Sequence, residues 1–298
     1  MFDVIIVGAG PCGMTAAIYL KRANKNVLVL EKEGIGGQIA SSLLVENYPG
    51  YKAISGAELS NNMYEQVTNL GVDVELEEVL SIKKDKTFTV VTDSNTYEAK
   101  AVIIATGAKY RLLGLENETN LIGSGIHFCV ACDGAFYKGK EVAVIGGGNS
   151  AAINALTLSD ICKKVYVIQN LDDLTCEDKM KQELSQKDNV EIICNALVSK
   201  LNGEDELNSI EITKDNKNET INIDGMFIAI GQVPESSLVK DMLKLDDYNY
   251  IITNECETSV EGLFVSGDCR SKKVRQLTTA VNDGTLAATL AINFLNKQ

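Results

Sequence analysis

Residues 3–13 read Asp3-Val4-Ile5-Ile6-Val7-Gly8-Ala9-Gly10-Pro11-Cys12-Gly13, and this stretch decides the fold. A short apolar run that breaks into a glycine-rich turn predicts a buried strand handing over to a helix, which reaches about Ala23. Val27 to Leu30 reads as a second strand, ending on Glu31. Strand, glycine turn, helix, strand and terminal acid, in that order, form the βαβ unit that binds a dinucleotide. Gly8, Gly10 and Gly13 let the backbone turn tightly and approach a pyrophosphate. The helix amino terminus, entered through Pro11, favours that anion, and Glu31 offers its carboxylate to ribose hydroxyls.

The same order returns later in the chain. Glu141 to Ile145 is a predicted strand, Gly146-Gly147-Gly148-Asn149-Ser150-Ala151 a turn, Ala152 to Ser159 a helix and Val165 to Ile168 a strand. Gln169 stands as far behind Gly146 as Glu31 stands behind Gly8, so it takes the place of the ribose acid. The fold class is therefore α/β with two Rossmann-like, three-layer domains. Gly71 to Val91 alternates like strands, Ala101 to Ala105 is an apolar strand ending in Thr106-Gly107, and Met226 to Ile230 ends in Gly231. Gly262 to Asp268 reads as a strand running into a polar turn, and Thr278 to Leu295 as a mainly apolar helix.

A chain of 298 residues suits two domains rather than one. No low-complexity linker separates them, and the three prolines (Pro11, Pro49, Pro234) mark no boundary. With 45% hydrophobic and 23% charged residues, the composition is that of a soluble globular protein, and no stretch has the apolar length of a membrane span. The first strand begins at once, which leaves no room for a secretory leader and predicts a cytoplasmic protein. A formal charge of −13 disfavours nucleic acid and anionic membrane as partners, since both need a basic footprint.

Of eight cysteines, only Cys129 and Cys132 are closely spaced, in Cys129-Val130-Ala131-Cys132-Asp133. In a reducing compartment this points to a redox dithiol rather than a disulfide scaffold, and the other six read mostly as inert core thiols. One thiolate attacks, and a second at this spacing resolves the mixed disulfide. Half of a zinc site is the alternative, but no second Cys/His pair stands at metal-ligand spacing, and no metal is expected. His127, the single histidine, lies two residues before Cys129; it either assists the thiolate or is structural.

Taken together, these residues resemble the low-molecular-weight thioredoxin reductases over the whole chain. The resemblance is carried by Gly8 to Gly13, Gly36-Gly37-Gln38, Glu46-Asn47-Tyr48-Pro49-Gly50, Ala105-Thr106-Gly107-Ala108, Cys129 to Gly134, Gly146 to Ala151, Gly267-Asp268 and Arg275-Gln276. It implies an FAD domain, residues 1–112 and 245–298, interrupted by a pyridine-nucleotide-type domain, residues 113–244, that carries the dithiol. FAD would be held by Gly8, Gly10, Pro11, Gly13, Glu31, Gly37, Gln38, Asn47, Thr106, Gly107, Gly267, Asp268, Arg275 and Gln276. Cys132 would exchange electrons with the flavin, Cys129 would attack thioredoxin, and Asp133 would move the proton. A homodimer is the family expectation.

The chain departs from that family around the second turn. Typical members carry His-Arg-Arg and a further Arg to grip the 2′-phosphate of NADPH, where this chain has Gln169-Asn170-Leu171-Asp172-Asp173. Ile153-Asn154 replaces an acidic pair near the nicotinamide site, and Pro234-Glu235 replaces Pro-Asn. This pattern resembles the pyridine-nucleotide-independent branch, in which reduced ferredoxin is the donor. An altered NAD(P)H specificity, a flavin-dependent dithiol oxidase and a redox-sensing binding module stand as alternatives. Because ferredoxins are acidic, Arg270, Lys272, Lys273 and Arg275 are candidates for a docking patch, with a solvated loop as the other reading.

Overall fold

The computed structural model describes residues 1–42 and 44–298 and divides into two compact units, Met1–Lys109 with Val233–Gln298, and Tyr110–Gln232. The second crossing lies at 232/233, not at the expected 244/245. The reason is apolar: Val239 and Leu243, with Leu238 and Met242 beside them, bury themselves in the core of the first unit.

In the first unit, parallel strands Asp73–Leu76, Val27–Glu31, Phe2–Val7 and Thr96–Ile104 lie side by side, and Leu263–Val265 extends the sheet in parallel along Val102–Ile104. Phe88–Thr92 and Val79–Lys84 continue it antiparallel. Side chains alternate across a strand, so each central strand feeds both faces. Val4, Ile6, Val27, Val29, Ala101 and Ile103 enter one core, while Ile5, Val7, Leu28, Leu30, Val102 and Ile104 enter the other. Burial on both faces explains the unbroken apolar runs of these strands. Over the first face lie helices Pro11–Arg22, Gly56–Asn69 and Leu277–Leu295, the middle one opened by Ser55, whose Oγ accepts from Glu58 N at 3.1 Å. The first and last of these approach closely because their facing residues are small: a Cβ on Gly284 would strike the Cys12 carbonyl, and Ala16, Ala17, Ala287, Ala288 and Ala291 are buried nearby.

The second unit repeats the three-layer plan with five parallel strands in the order Val190–Ile193, Lys164–Ile168, Glu141–Ile145, Gly225–Ile228 and Ile126–His127. Val142 and Val144 enter one core, Ala143 and Ile145 the other. Helix Asn149–Ser159 covers the first, and an antiparallel sheet of Ala196–Asn202, Ser209–Lys214 and Lys217–Asn222 covers the second. Among the described residues, no helix is long and apolar enough to cross a membrane.

Candidate active site

All fourteen residues expected to hold a dinucleotide fall in the first unit, and the dithiol with Asp133 falls in the second. Helix Pro11–Arg22 starts at Gly10 with no side-chain cap and no acidic residue in its first turn, so no side-chain carboxylate of that turn offsets the positive end of its dipole. A Cβ on Gly13 would collide with the Gly8 carbonyl oxygen, which is why the helix can start so close to the strand. One on Gly10 would meet no atom within 4 Å, leaving the turn open on the side a pyrophosphate would take. Glu31 braces the turn by accepting from Ala9 N at 2.8 Å and from Glu33 N at 2.9 Å.

Gly8, Glu31 and Thr106 line one cleft, with Lys32, Glu235 and Leu238 among its other walls. Gly37 comes within 3.5 Å of the Gly10 Cα, measured from where its Cβ would stand, and the Gln38 amide donates to the Ala108 carbonyl. Gly267 lies against Cys12, and its N–H donates to Asp283 Oδ2 at 3.1 Å. Arg275 lies 3.8 Å over the Tyr250 ring and donates to the Asp268 carbonyl at 3.3 Å, while Gln276 opens the last helix in a capping box with Thr279. Asn47 stands on an exposed segment two residues beyond Val45, which bridges to Ile54. The uncapped helix, the close backbone approach at Gly8 and Gly13, the open side of Gly10 and the Glu31 carboxylate at the strand end fit FAD.

Two expectations change here. Glu235 was placed at the second nucleotide turn, yet it lies in the first unit: its N–H donates to the Gly107 carbonyl at 3.0 Å, its carbonyl accepts from Thr106 Oγ1 at 2.5 Å, and its carboxylate pairs with Lys32 at 2.6 Å. The proposed basic patch is mostly spoken for. Asp283, 1% exposed, takes Arg270 through Nε at 2.8 Å and Nη2 at 2.7 Å and Lys272 through Nζ at 3.1 Å; Lys272 also pairs with Asp268 at 2.8 Å. With Arg275 stacked on Tyr250, only Lys273 of the four cations is an exposed residue. Asp283 had no signal in the sequence, because its partners lie more than ten residues away and the intervening chain reads simply as an apolar helix.

In the second unit, Cys129 and Cys132 form a disulfide with Cα atoms 5.2 Å apart, on the short helix Val130–Asp133. Both cysteines are half-buried. Asp133 Oδ2 lies 3.1 Å from His127 Nδ1. Five of the other six cysteines are buried, and burial pushes Cys162 up to about 11 and Cys256 up to about 12, which keeps both as inert thiols. Among the described residues, no three His, Cys, Asp or Glu side chains gather as metal ligands.

The second glycine turn differs from the first in what lies across it. Gln169 is 5% exposed, and a Cβ on Gly147 would collide with its amide. Leu174 and Cys176 are anchored in the core, and they carry the intervening loop over the turn: Thr175 N–H donates to the Gly147 carbonyl at 2.8 Å. Glu177 N–H donates to Asn149 Oδ1 at 2.9 Å, and the Asn149 amide donates back to Glu177 Oε1 at 3.2 Å. The Glu177 carboxylate is thereby tied to the Asn149 side chain beside the amino end of helix Asn149–Ser159, which, like helix Pro11–Arg22, has no side-chain cap on its N–H groups. Lys181, the nearby cation, is paired with Asp173 at 2.7 Å.

Residues 2–284 match the family described as pyridine nucleotide-disulphide oxidoreductase. The chain is 42% identical to the "34.2 kDa protein in rubredoxin operon" of Clostridium pasteurianum, over 98% of this chain and 97% of that protein. It is 39% identical to a thioredoxin reductase of Bacillus subtilis, over 97% of this chain and 93% of the other. The crystal structure of thioredoxin reductase from Streptococcus pyogenes superposes with a TM-score of 0.95 at 37% identity, covering 100% of this chain and 99% of that one. With two glycine-turn units, a disulfide at the expected pair and these matches along its length, the chain belongs to the thioredoxin reductase family of pyridine nucleotide-disulphide oxidoreductases.

Proposed function

We propose that this chain reduces the disulfide of thioredoxin and draws its electrons from reduced ferredoxin rather than from NADPH or NADH. The observation that supports the donor assignment is the second turn, which carries carboxylates in place of the expected cations. A pyridine nucleotide needs the amino end of helix Asn149–Ser159 for its pyrophosphate and cations for a 2′-phosphate. Here it meets the Glu177 carboxylate, a buried neutral Gln169 and a loop carrying Asp172 and Asp173. The first unit is the FAD domain in this reading, with Gly8 to Gly13, Glu31, Gly37, Gln38, Asn47, Thr106, Gly107, Gly267, Asp268, Arg275 and Gln276 around the cofactor.

FAD, when bound, would collect the single electrons of two reduced ferredoxins and supply them as the pair that opens the Cys129–Cys132 bond, with one solvent proton leaving Cys132 as the thiol and Cys129 as the thiolate. The Cys129 thiolate then attacks one sulfur of the thioredoxin disulfide. A bond between the two proteins forms, the thioredoxin bond breaks, and the departing thiolate takes a proton from solvent. Cys132 gives its proton to Asp133 and attacks Cys129 Sγ, which restores the internal disulfide and releases the second thioredoxin thiolate; Asp133 hands that thiolate the proton. Two electrons and two protons reach thioredoxin per cycle.

The test is thioredoxin turnover by FAD-loaded protein under anaerobic conditions, supplied in turn with reduced ferredoxin, reduced rubredoxin, NADPH and NADH. Rubredoxin is the second carrier to try because the Clostridium pasteurianum relative is named for a rubredoxin operon. Turnover with ferredoxin and none with either nucleotide is expected; turnover with micromolar NADPH overturns the donor assignment.

A further inference from the structure

His127, the only histidine in the chain, has both ring nitrogens engaged. It is 6% exposed, on the edge strand Ile126–His127, in register with Phe227. Nδ1 lies 3.1 Å from Asp133 Oδ2 and Nε2 lies 2.7 Å from the Tyr137 hydroxyl, while the Tyr137 and Phe227 rings pack against the imidazole at 5.3 and 5.4 Å between centroids. Tyr137 is itself buried. Burial first, then the carboxylates of Asp133, Glu206 and Asp224, push its phenol up to about 12, so it keeps its proton at any working pH.

A carboxylate only accepts, so the Asp133 contact calls for a hydrogen on Nδ1; with that hydrogen in place, Nε2 of the single-hydrogen ring is the acceptor for the Tyr137 O–H. The groups facing the ring are Asp133 from the dithiol helix, Tyr137 from the following turn and Phe227 from the neighbouring strand; Lys140 Nζ lies beyond, 5.4 Å from the Tyr137 ring.

We propose that His127 is a positioning residue for Asp133: the Tyr137–His127 pair grips one carboxylate oxygen in its charged form and leaves the other to exchange the proton with Cys132 and the departing thiolate. This rests on the role given to Asp133 under the proposed function. A histidine that merely filled an aromatic slot would leave the pH dependence of thiol exchange unmoved.

The experiment uses FAD-loaded full-length protein with 15N-labelled histidine, whose single imidazole gives one set of ring signals. The ring is expected in the Nδ1–H tautomer at neutral pH, and Tyr137→Phe is expected to change the tautomer or charge of the ring. In parallel, the dithiol is pre-reduced with dithionite and its single-turnover reduction of the model disulfide DTNB is followed against pH. His127→Phe fills the slot but removes the donor, and the acid limb of the profile should move up by about one pH unit. His127→Asn keeps an N–H where Nδ1 stands and should restore the profile. An Nε2–H or doubly protonated ring in the parent protein, or a His127→Phe profile that overlays it, overturns the assignment. A wild-type rate in Asp133→Asn overturns the role of Asp133 itself, and that result is distinct because the tautomer is read without turnover.

Discussion

Replacing Asp283 with Asn is the sharpest test of how the first unit holds the turn at Gly267-Asp268. Asp283 accepts from Arg270 twice, from Lys272 and from Gly267 N–H, all within 3.1 Å. The side chains of Arg270 and Lys272 are 15% and 8% exposed, so neither can turn to solvent when the carboxylate is lost. Asn keeps one acceptor but turns an NH2 toward cations, leaves the Arg270 guanidinium without its carboxylate and leaves Lys272 with Asp268 alone. Removing one partner of such a pair costs about 3–5 kcal/mol. At about 2–4 °C per kcal/mol for a domain of this class, the melting temperature of FAD-loaded protein should fall by about 6–20 °C in calorimetry. Acid should act on the same group. Burial pushes the Asp283 carboxyl up, but Arg270 and Lys272 outweigh it and hold it below its ordinary value. Its contribution is therefore complete above the ordinary carboxylate range, near pH 4, and is lost as pH falls through the lower folded value. Asp283→Asn should lack that part of the acid dependence. Replacing all three charges together, with Leu at 283 and Met at 270 and 272, should recover part of the loss. A melting temperature for Asp283→Asn within 2 °C of the parent would refute the reasoning.

Other outcomes follow from the same geometry. Gly13→Ala places a methyl group on the Gly8 carbonyl and should cost about 1–3 kcal/mol of stability; equilibrium dialysis should show at least a tenfold loss of FAD retention, and unchanged retention would contradict the fit. Cys132→Ser should trap a mixed disulfide between Cys129 and thioredoxin, visible on a non-reducing gel, whereas Cys129→Ser should trap none; the reverse pattern would exchange the roles of the two cysteines. Glu177→Lys with Asp173→Asn exchanges negative for positive charge at the second turn, and calorimetric titration with NADP+ should show at least tenfold tighter binding. No change would mean that these carboxylates are not what disfavours the nucleotide.

Much of the fold was legible because it rests on local patterns. The strand at Phe2–Val7, the helix at Pro11–Arg22 and the repeat from Glu141 to Ile168 announce themselves through apolar runs and glycine turns. The dithiol was legible from its spacing alone. What was not legible depends on partners far apart in the chain. The cluster of cations at 270–275 reads as a surface patch until Asp283 is found beneath it. Pro234-Glu235 reads as part of the second nucleotide turn until its hydrogen bonds to Thr106 and Gly107 place it in the first unit. Nothing in the sequence singles out Tyr137, whose hydroxyl meets His127 only in the fold. The loss of cations after Ile168 was visible in the sequence, but the Glu177 carboxylate brought to the Asn149 side chain was not.

The measurement that bears most directly on the donor assignment is anaerobic stopped-flow absorbance of the oxidised, FAD-loaded protein, followed at the flavin band near 450 nm. Mixed with reduced ferredoxin, the band should bleach and the Cys129–Cys132 pair should open, while millimolar NADPH or NADH should leave the spectrum unchanged over the same time. Rapid bleaching by micromolar NADPH, with ferredoxin inert, would contradict the account.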